Sequence, residues 1–343
     1  MKNVNYFIIL VSVYLLIIIW GCSENNSMSF IDDYDVDLTE DKGTVYYGDY
    51  FPLYENYTCN YSGYGIIHTK INIPGYGEDE ETSSGNMIGM QRVLPQTLIP
   101  LNSGSVMLYP VVEASEFDYE FSSDTSRFYM KDEQAVYVKA VKLSDGSYLE
   151  VEDPVFIKSA LKVGESWMTA PKFDMTELLM SALNGDESQT DMSVDAKSKF
   201  FVAGHQMITL PVGNRRALRL EQANDIKVKG TMNLEGYTYI INISAEIAIV
   251  YHLIADTGIV HQNMTGPMNM KITVEGQSMT MNIDIEQSEL SLTGINSEPY
   301  FPKNDSPASG YEIFSDEKFP VSEKKMIRLA GTFKDILIKN LAL

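Results

Sequence analysis

Two stretches of this chain alternate apolar and polar residues so regularly that each dictates a β-hairpin with one buried face. In the first, Ile226-Lys227-Val228-Lys229-Gly230-Thr231-Met232-Asn233-Leu234 precedes Glu235-Gly236 and then Tyr237-Thr238-Tyr239-Ile240-Ile241-Asn242-Ile243. A two-residue turn pairs Leu234 with Tyr237, Met232 with Tyr239 and Val228 with Ile243 on one face. Lys227, Lys229, Thr231 and Asn233 take the other. The second stretch, built around a Gly276-Gln277 turn, sets Val274 opposite Met279, Ile272 opposite Met281, Met270 opposite Ile283 and Met268 opposite Ile285. Glycine at the first turn position suits a type II′ turn, whose twist follows that of the flanking strands. One face dry and one wet is the pattern of an antiparallel sheet covered on one side.

From about residue 46 onward most of the chain reads as short alternating segments, so the expected fold is mainly β. Helices are scarce. Asp174-Met175-Thr176-Glu177 has capping-box character, with Leu178, Leu179, Met180 and Leu183 behind it and Asn184-Gly185 as a stop, which predicts a short helix near 175–183. Ser322 caps a longer C-terminal helix whose Met326, Leu329, Ala330, Phe333, Leu337 and Leu341 form one stripe. Gly331 inside that run costs about 1 kcal/mol relative to alanine. Residues 46–343 thus form a β-rich domain, and the change of pattern near 152–160 leaves room for a division into two lobes.

The N-terminus carries an address. Lys2 precedes an apolar run from Tyr6 to Trp20, which ends at Gly21-Cys22 before the polar Ser23-Glu24-Asn25-Asn26-Ser27. A positive segment followed by a short apolar one is an export signal, and the run falls short of the ~20 residues that a spanning helix needs. Ile19-Trp20-Gly21-Cys22 resembles the lipobox of bacterial lipoproteins, which implies removal of residues 1–21 and lipidation of Cys22. Residues 22–45, with Asp32, Asp33, Asp35, Asp37, Glu40 and Asp41, read as an acidic flexible tether. Ser23 takes the place of the aspartate associated with inner-membrane retention, so the expected location is the bacterial cell envelope, lipid-anchored at the outer membrane. With Cys22 acylated, Cys59 is the one thiol left and no disulfide can staple the mature chain. The net charge of -21 repels phosphate backbones, which argues against nucleic acid as a partner.

Four stretches resemble a pattern of uncharacterised bacterial lipoproteins in the LolA-like/LppX-like half-barrel group. Tyr50-Phe51-Pro52-Leu53-Tyr54-Glu55-Asn56-Tyr57-Thr58-Cys59-Asn60-Tyr61 is similar to an F-P-L-x-x-G-x-x-W-x-Y opening, with Asn56 in place of the glycine and Cys59 in place of the tryptophan. Asparagine tolerates the positive φ that such a turn needs. Leu161-Lys162-Val163-Gly164-Glu165-Ser166-Trp167 keeps both its glycine and its tryptophan. Gln206 to Leu220 resembles a strand, a Pro-x-Gly turn and a return strand. Tyr251 to Val260 resembles an aromatic strand closed by a glycine turn. The resemblance implies a curved antiparallel sheet around a helix, shared with lipoprotein carriers and lipid-binding lipoproteins, and fold alone does not fix function.

No catalytic signature accompanies these motifs. Ser159-Ala160-Leu161-Lys162 fits S-x-x-K, but the partner motifs S-D-N and K-T-G are absent. His68, His205, His252 and His261 lack metal-ligand spacing, and no nucleotide or cofactor motif occurs. Methionine stands out instead. Met268, Met270, Met279 and Met281 share one face of the second hairpin. Thioethers in M-x-M pairs can hold cuprous ion, but Ile272, Val274, Ile283 and Ile285 on the same face favour plain core, followed by the lining of an apolar concavity. The expectation is a non-enzymatic envelope protein, without cofactor or metal, that binds a hydrophobic ligand or protein partner on a concave sheet face. A hydrolase with paired carboxylates and a purely structural envelope protein are the alternatives.

Overall fold

A computed structural model of the protein describes residues 41–296 apart from 74, 76, 118–119, 143–145, 153–154, 170–189 and 235–236. Cys22, most of the tether, the helix expected near 175–183 and the C-terminal helix lie outside the described residues. Among the described residues there is no helix. The chain begins with β1 (Val45–Tyr47), β2 (Thr58–Ile73), β3 (Gly77–Val93), β4 (Thr97–Leu101) and β5 (Gly104–Phe117). It continues through β6 (Glu120–Lys131), β7 (Ala135–Lys142), β8 (Tyr148–Glu150), β9 (Val155–Lys158), β10 (Ala160–Lys162) and β11 (Ser166–Thr169). Five long strands complete it: β12 (Thr190–Leu210), β13 (Gly213–Leu234), β14 (Tyr237–Ile254), β15 (Gly258–Val274) and β16 (Gln277–Ile295).

All but two of these strands join one open antiparallel sheet in the order β11-β12-β13-β14-β15-β16-β2-β3-β5-β6-β7-β8, with β4 added to β5 and β9 to β7. β1 and β10 pair separately. The first hairpin has the register its alternation predicts: Leu234 faces Tyr237, Met232 faces Tyr239 and Val228 faces Ile243. Ile226, Val228 and Met232 are buried while Lys227, Lys229 and Thr231 are exposed.

The second hairpin keeps its faces but turns one residue earlier than expected. Val274 faces Gln277, Ile272 faces Met279, Met270 faces Met281 and Met268 faces Ile283. Glu275 and Gly276 are the turn residues, with φ of 51° and 80°. Two successive positive φ values define a type I′ turn rather than II′. Moving a two-residue turn by one position shifts the pairing by two, so no side chain changes face. The register gains a cross-strand hydrogen bond between the Thr273 and Ser278 hydroxyls at 2.8 Å.

Register breaks at Val202/Gly204 in β12, Met264/Gly266 in β15 and Ile285/Gln287 in β16 bend the long strands. Close approach of backbones helps the bend. A Cβ on Gly266 would lie 2.1 Å from the carbonyl oxygen of Glu246, and one on Gly63 would lie 1.6 Å from that of Glu289. The result brings Cα atoms of β12 and β16 within 8 Å although three strands lie between them in the sheet.

One large core covers a single face of the sheet, from Tyr50, Phe51 and Leu53 through Tyr129 and Phe156 to the long strands. The opposite face of β5–β7 has a smaller cluster of Ile99, Leu108, Phe128 and Ala140. The motif stretches gather at one end of the sheet, where the third pairs with the fourth through Leu218 and Leu253, the first bonds the fourth, and the second meets β12 just ahead of the third. The Tyr57 hydroxyl donates to Thr257 O at 3.0 Å, the Tyr61 hydroxyl to Ile259 O at 3.1 Å, and Gly164 N–H to Val202 O at 2.8 Å. Asn56 adopts φ of 63°, as its place in the motif demands. Trp167 stacks on Phe200 with ring centroids 5.0 Å apart.

Candidate functional site

Along β13 the core-facing positions read Leu218, Leu220, Gln222, Asn224, Ile226 and Val228, so two amides interrupt an apolar row. They are fully engaged. The Tyr251 hydroxyl donates to Gln222 Oε1 at 3.0 Å, Gln222 Nε2 donates to Asn224 Oδ1 at 2.8 Å, and Asn224 Nδ2 donates to Ile247 O at 3.1 Å. Ser198 Oγ on β12 donates to the same Asn224 Oδ1 at 2.5 Å. Networks of this kind belong in cores only when every member is satisfied.

Arg127 on β6 and Glu113 on β5 form an ion pair with both side chains buried. Arg127 Nε donates to Glu113 Oε2 at 3.0 Å, and Gln91 Nε2 donates to Oε1 at 3.3 Å. Burial opposes the charge on Arg127, but the Glu113 carboxylate holds its pKa above the ordinary value. Burial in turn pushes the phenols of Tyr61, Tyr129 and Tyr251 well up, which keeps them neutral. The field of Arg127 reaches Tyr251 on β14, although five strands separate β6 from β14 in the sheet order. The core thus holds a buried ion pair on β5 and β6 and an amide network on β12 to β14, with Tyr251 bonded to the second and within the field of the first.

The methionines extend from that layer toward the second hairpin. Met270 and Met281 are direct cross-strand partners, with Met268 beside Ile283 and Met279 beside Ile272. Met268, Met270, Met279 and Met281 are all buried within the main core, among Ile241, Ile243, Ile272 and Val274. Tyr239 lies on the same face, paired with Val274. Its side chain is buried, and its hydroxyl has no hydrogen-bond partner among the described residues.

The opposite face of β13–β16 carries a row of polar groups. Arg219 is paired with Glu221 at 2.7 Å, and the His252 and His261 rings lie 5.1 Å apart. Burial, the neighbouring His261 and Arg219 depress the His252 pKa to about 3, so its imidazole is neutral. Burial likewise lowers His261, against Glu289. His261 approaches Ser291 Oγ at 2.9 Å and Glu289 at 3.8 Å, but both through Nδ1. A relay from carboxylate to hydroxyl needs one partner on each ring nitrogen, so this is no nucleophilic triad. His68 bonds Thr82 and Glu286, and His205 meets Asp41. No group of three metal-ligating side chains occurs among the described residues.

The methionine face was legible from alternation, and the structure does bring its four members together. Arg127, Glu113, Tyr129 and Tyr251 were not singled out from the sequence. A signal existed in Gln222 and Asn224, which occupy two successive inward positions of an otherwise apolar row. The nearness of Arg127 to Tyr251, which bonds Gln222, could not be read, because it arises across the core and not along a strand.

No protein family matches this chain, and no curated protein does. Among solved structures, an inferred exported protein with a YmcC-like fold from Bacteroides fragilis shares 8% identity over 73% of this chain and 100% of its own, with a TM-score of 0.20. An inferred lipoprotein from Parabacteroides distasonis shares 9% identity over 71% and 98%, with a TM-score of 0.17. The outer membrane protein OmpT of Vibrio cholerae, in its trimer form, shares 9% identity over 69% and 99%, with a TM-score of 0.23. At such scores these likenesses carry neither a fold family nor a function.

Proposed function

We propose that this protein is a non-enzymatic lipoprotein of the bacterial envelope, anchored through Cys22, whose sheet curls into a half-barrel and holds a hydrophobic ligand on its concave face. The single observation that carries the ligand is the apolar face of β13–β16, where Met268, Met270, Met279 and Met281 lie beside the buried Tyr239 hydroxyl, which has no hydrogen-bond partner among the described residues. Thioether side chains re-pack readily around an irregular apolar guest. A buried hydroxyl left unpaired costs about 1–3 kcal/mol, and the carboxyl or ester oxygen of an acyl chain would satisfy Tyr239. The half-barrel has its own support in the strand bulges and in the approach of β12 to β16 across the core side.

Hydrolysis by paired carboxylates is less well supported. The buried carboxylates Glu113 and Glu221 each sit on an arginine and occupy opposite faces of the sheet. The outer-membrane address rests on the signal, the lipobox and Ser23. Organic extraction of the full chain purified from membranes, followed by mass spectrometry, tests the ligand. Acyl chains beyond those on Cys22 are expected, and in lower amount from Met270→Trp, whose indole would fill the concavity. Repeated absence of any extra acyl species from a folded wild-type preparation would remove the lipid reading.

A further inference from the structure

The described chain begins at Asp41, and the surface around that point differs from the rest of the molecule. The Asp41 carboxylate lies 3.4 Å from His205 Nδ1 and 3.3 Å from an Arg216 guanidinium nitrogen. Tyr46 packs edge-on against His205 with ring centroids 4.2 Å apart. Gly43 N–H donates to Val163 O at 3.0 Å, and Val45 pairs with Lys162. The tether end is therefore fastened beside the β12–β13 hairpin.

That hairpin's tip is both apolar and basic. Met207 is 63% exposed and Val212 41% exposed, with Pro211 exposed between them. Arg215 and Arg216 are exposed on opposite faces of β13, since successive strand residues alternate. Lys42 and Lys162, exposed beside the tether end, add two more cations; like Arg215, they have no ion-pair partner among the described residues. A chain of net charge -21 thus gathers four cations at one end. Asp41, Glu55 and Asp256 lie at that end too, while the run Glu78, Asp79 and Glu80 lies exposed at the other, next to the β2–β3 connection.

We propose that the β12–β13 tip, together with the tether exit, docks on the anionic bilayer to which the chain is anchored. Met207 and Val212 enter the headgroup boundary, and Arg215, Arg216, Lys42 and Lys162 bind lipid phosphates. Exposed apolar groups flanked by cations are what an interfacial contact requires, and each cation near an anionic surface strengthens binding about five-fold. The inference rests on the reading of Cys22 as the anchor, because that reading brings the tether end, and the hairpin beside it, close to the lipid.

Val212→Cys in the full chain tests it, since Cys59 is buried and Cys22 acylated, which leaves position 212 for an environment-sensitive dye. Gln277→Cys is the control; it opens β16 beside the far end of the 17-residue strand β15, roughly 55 Å along the sheet from the end where β15 begins, at 3.3 Å per residue. On vesicles of phosphatidylcholine and phosphatidylglycerol the dye at 212 is expected to shift to the blue and to be quenched by headgroup-level quenchers. The dye at 277 stays aqueous. The shift at 212 should fall several-fold in about 0.5 M salt, and equally in the Arg215→Glu/Arg216→Glu variant. A dye at 212 that remains aqueous on vesicles carrying the anchored protein overturns the docking and leaves the acidic tether as the arginines' partner. Mass spectrometry of the N-terminal peptide reads the anchor separately. An unacylated Cys22 would itself take the dye, so in that case the readout is repeated in Cys22→Ser/Val212→Cys: a blue-shifted 212 removes the anchor and keeps the docking, whereas an aqueous 212 removes both.

Discussion

Arg127 and Glu113 carry opposite charges into a buried part of the core, where each offsets the cost of burying the other. Removing one partner strands the other, which in proteins costs about 3–5 kcal/mol, whereas replacing both with apolar groups of similar size is often close to neutral. Urea denaturation of Arg127→Met, Glu113→Leu and the double variant is therefore expected to show two strongly destabilised singles. The double should sit well above the sum of their losses. Additive losses would mean that the pair is not a coupled unit. The same logic separates this pair from the surface contacts of Lys70 with Glu78 and Glu80, whose exposed partners contribute little. At the methionine positions chemistry is less demanding, because a thioether needs no partner and fits what surrounds it.

The β15–β16 hairpin shows how far a strand pattern reaches. Alternation assigns every side chain from Met268 to Ile285 to its face, and the structure keeps each of them there. Alternation does not distinguish a Gly276-Gln277 turn from a Glu275-Gly276 turn, since both obey the same parity. The backbone chose the turn with both central residues at positive φ, which places Glu275 in the left-handed region at 51°. That region costs an ordinary residue roughly 1–2 kcal/mol, and asparagine less. Glu275→Asn is accordingly expected to stabilise the protein by about 0.5–1 kcal/mol, as the Asn-Gly pair is the preferred type I′ sequence. A destabilised variant in thermal unfolding would argue that Glu275 has a role beyond the turn.

Over the whole molecule, the long strands leave two edges to be managed. Among the described residues β3 pairs with β5 only from Met87 onward, which leaves Gly77–Asn86 without an outer strand there, and that stretch carries Glu78, Asp79, Glu80 and Glu81. Among the described residues β12 is covered by β11 only at residues 198–201, and its earlier part carries Asp191 and Asp195. Charge on an exposed edge discourages pairing with another chain. Replacing Glu78, Asp79, Glu80 and Glu81 with threonine should produce concentration-dependent association in light scattering; an unchanged size distribution would show that the edge is blocked by other means. The sequence by itself determined the β class, the faces of both hairpins, the positive-φ role of Asn56 and the grouping of the methionines, because each depends on residues near in the chain. Only the tertiary structure decided which turn closes the second hairpin, that Arg127 shares a core layer with Tyr251, and that Asp41 meets Arg216. The turn is a choice between two registers of equal parity, which alternation leaves open, and the other two join groups distant along the chain through burial and charge, which no local period encodes.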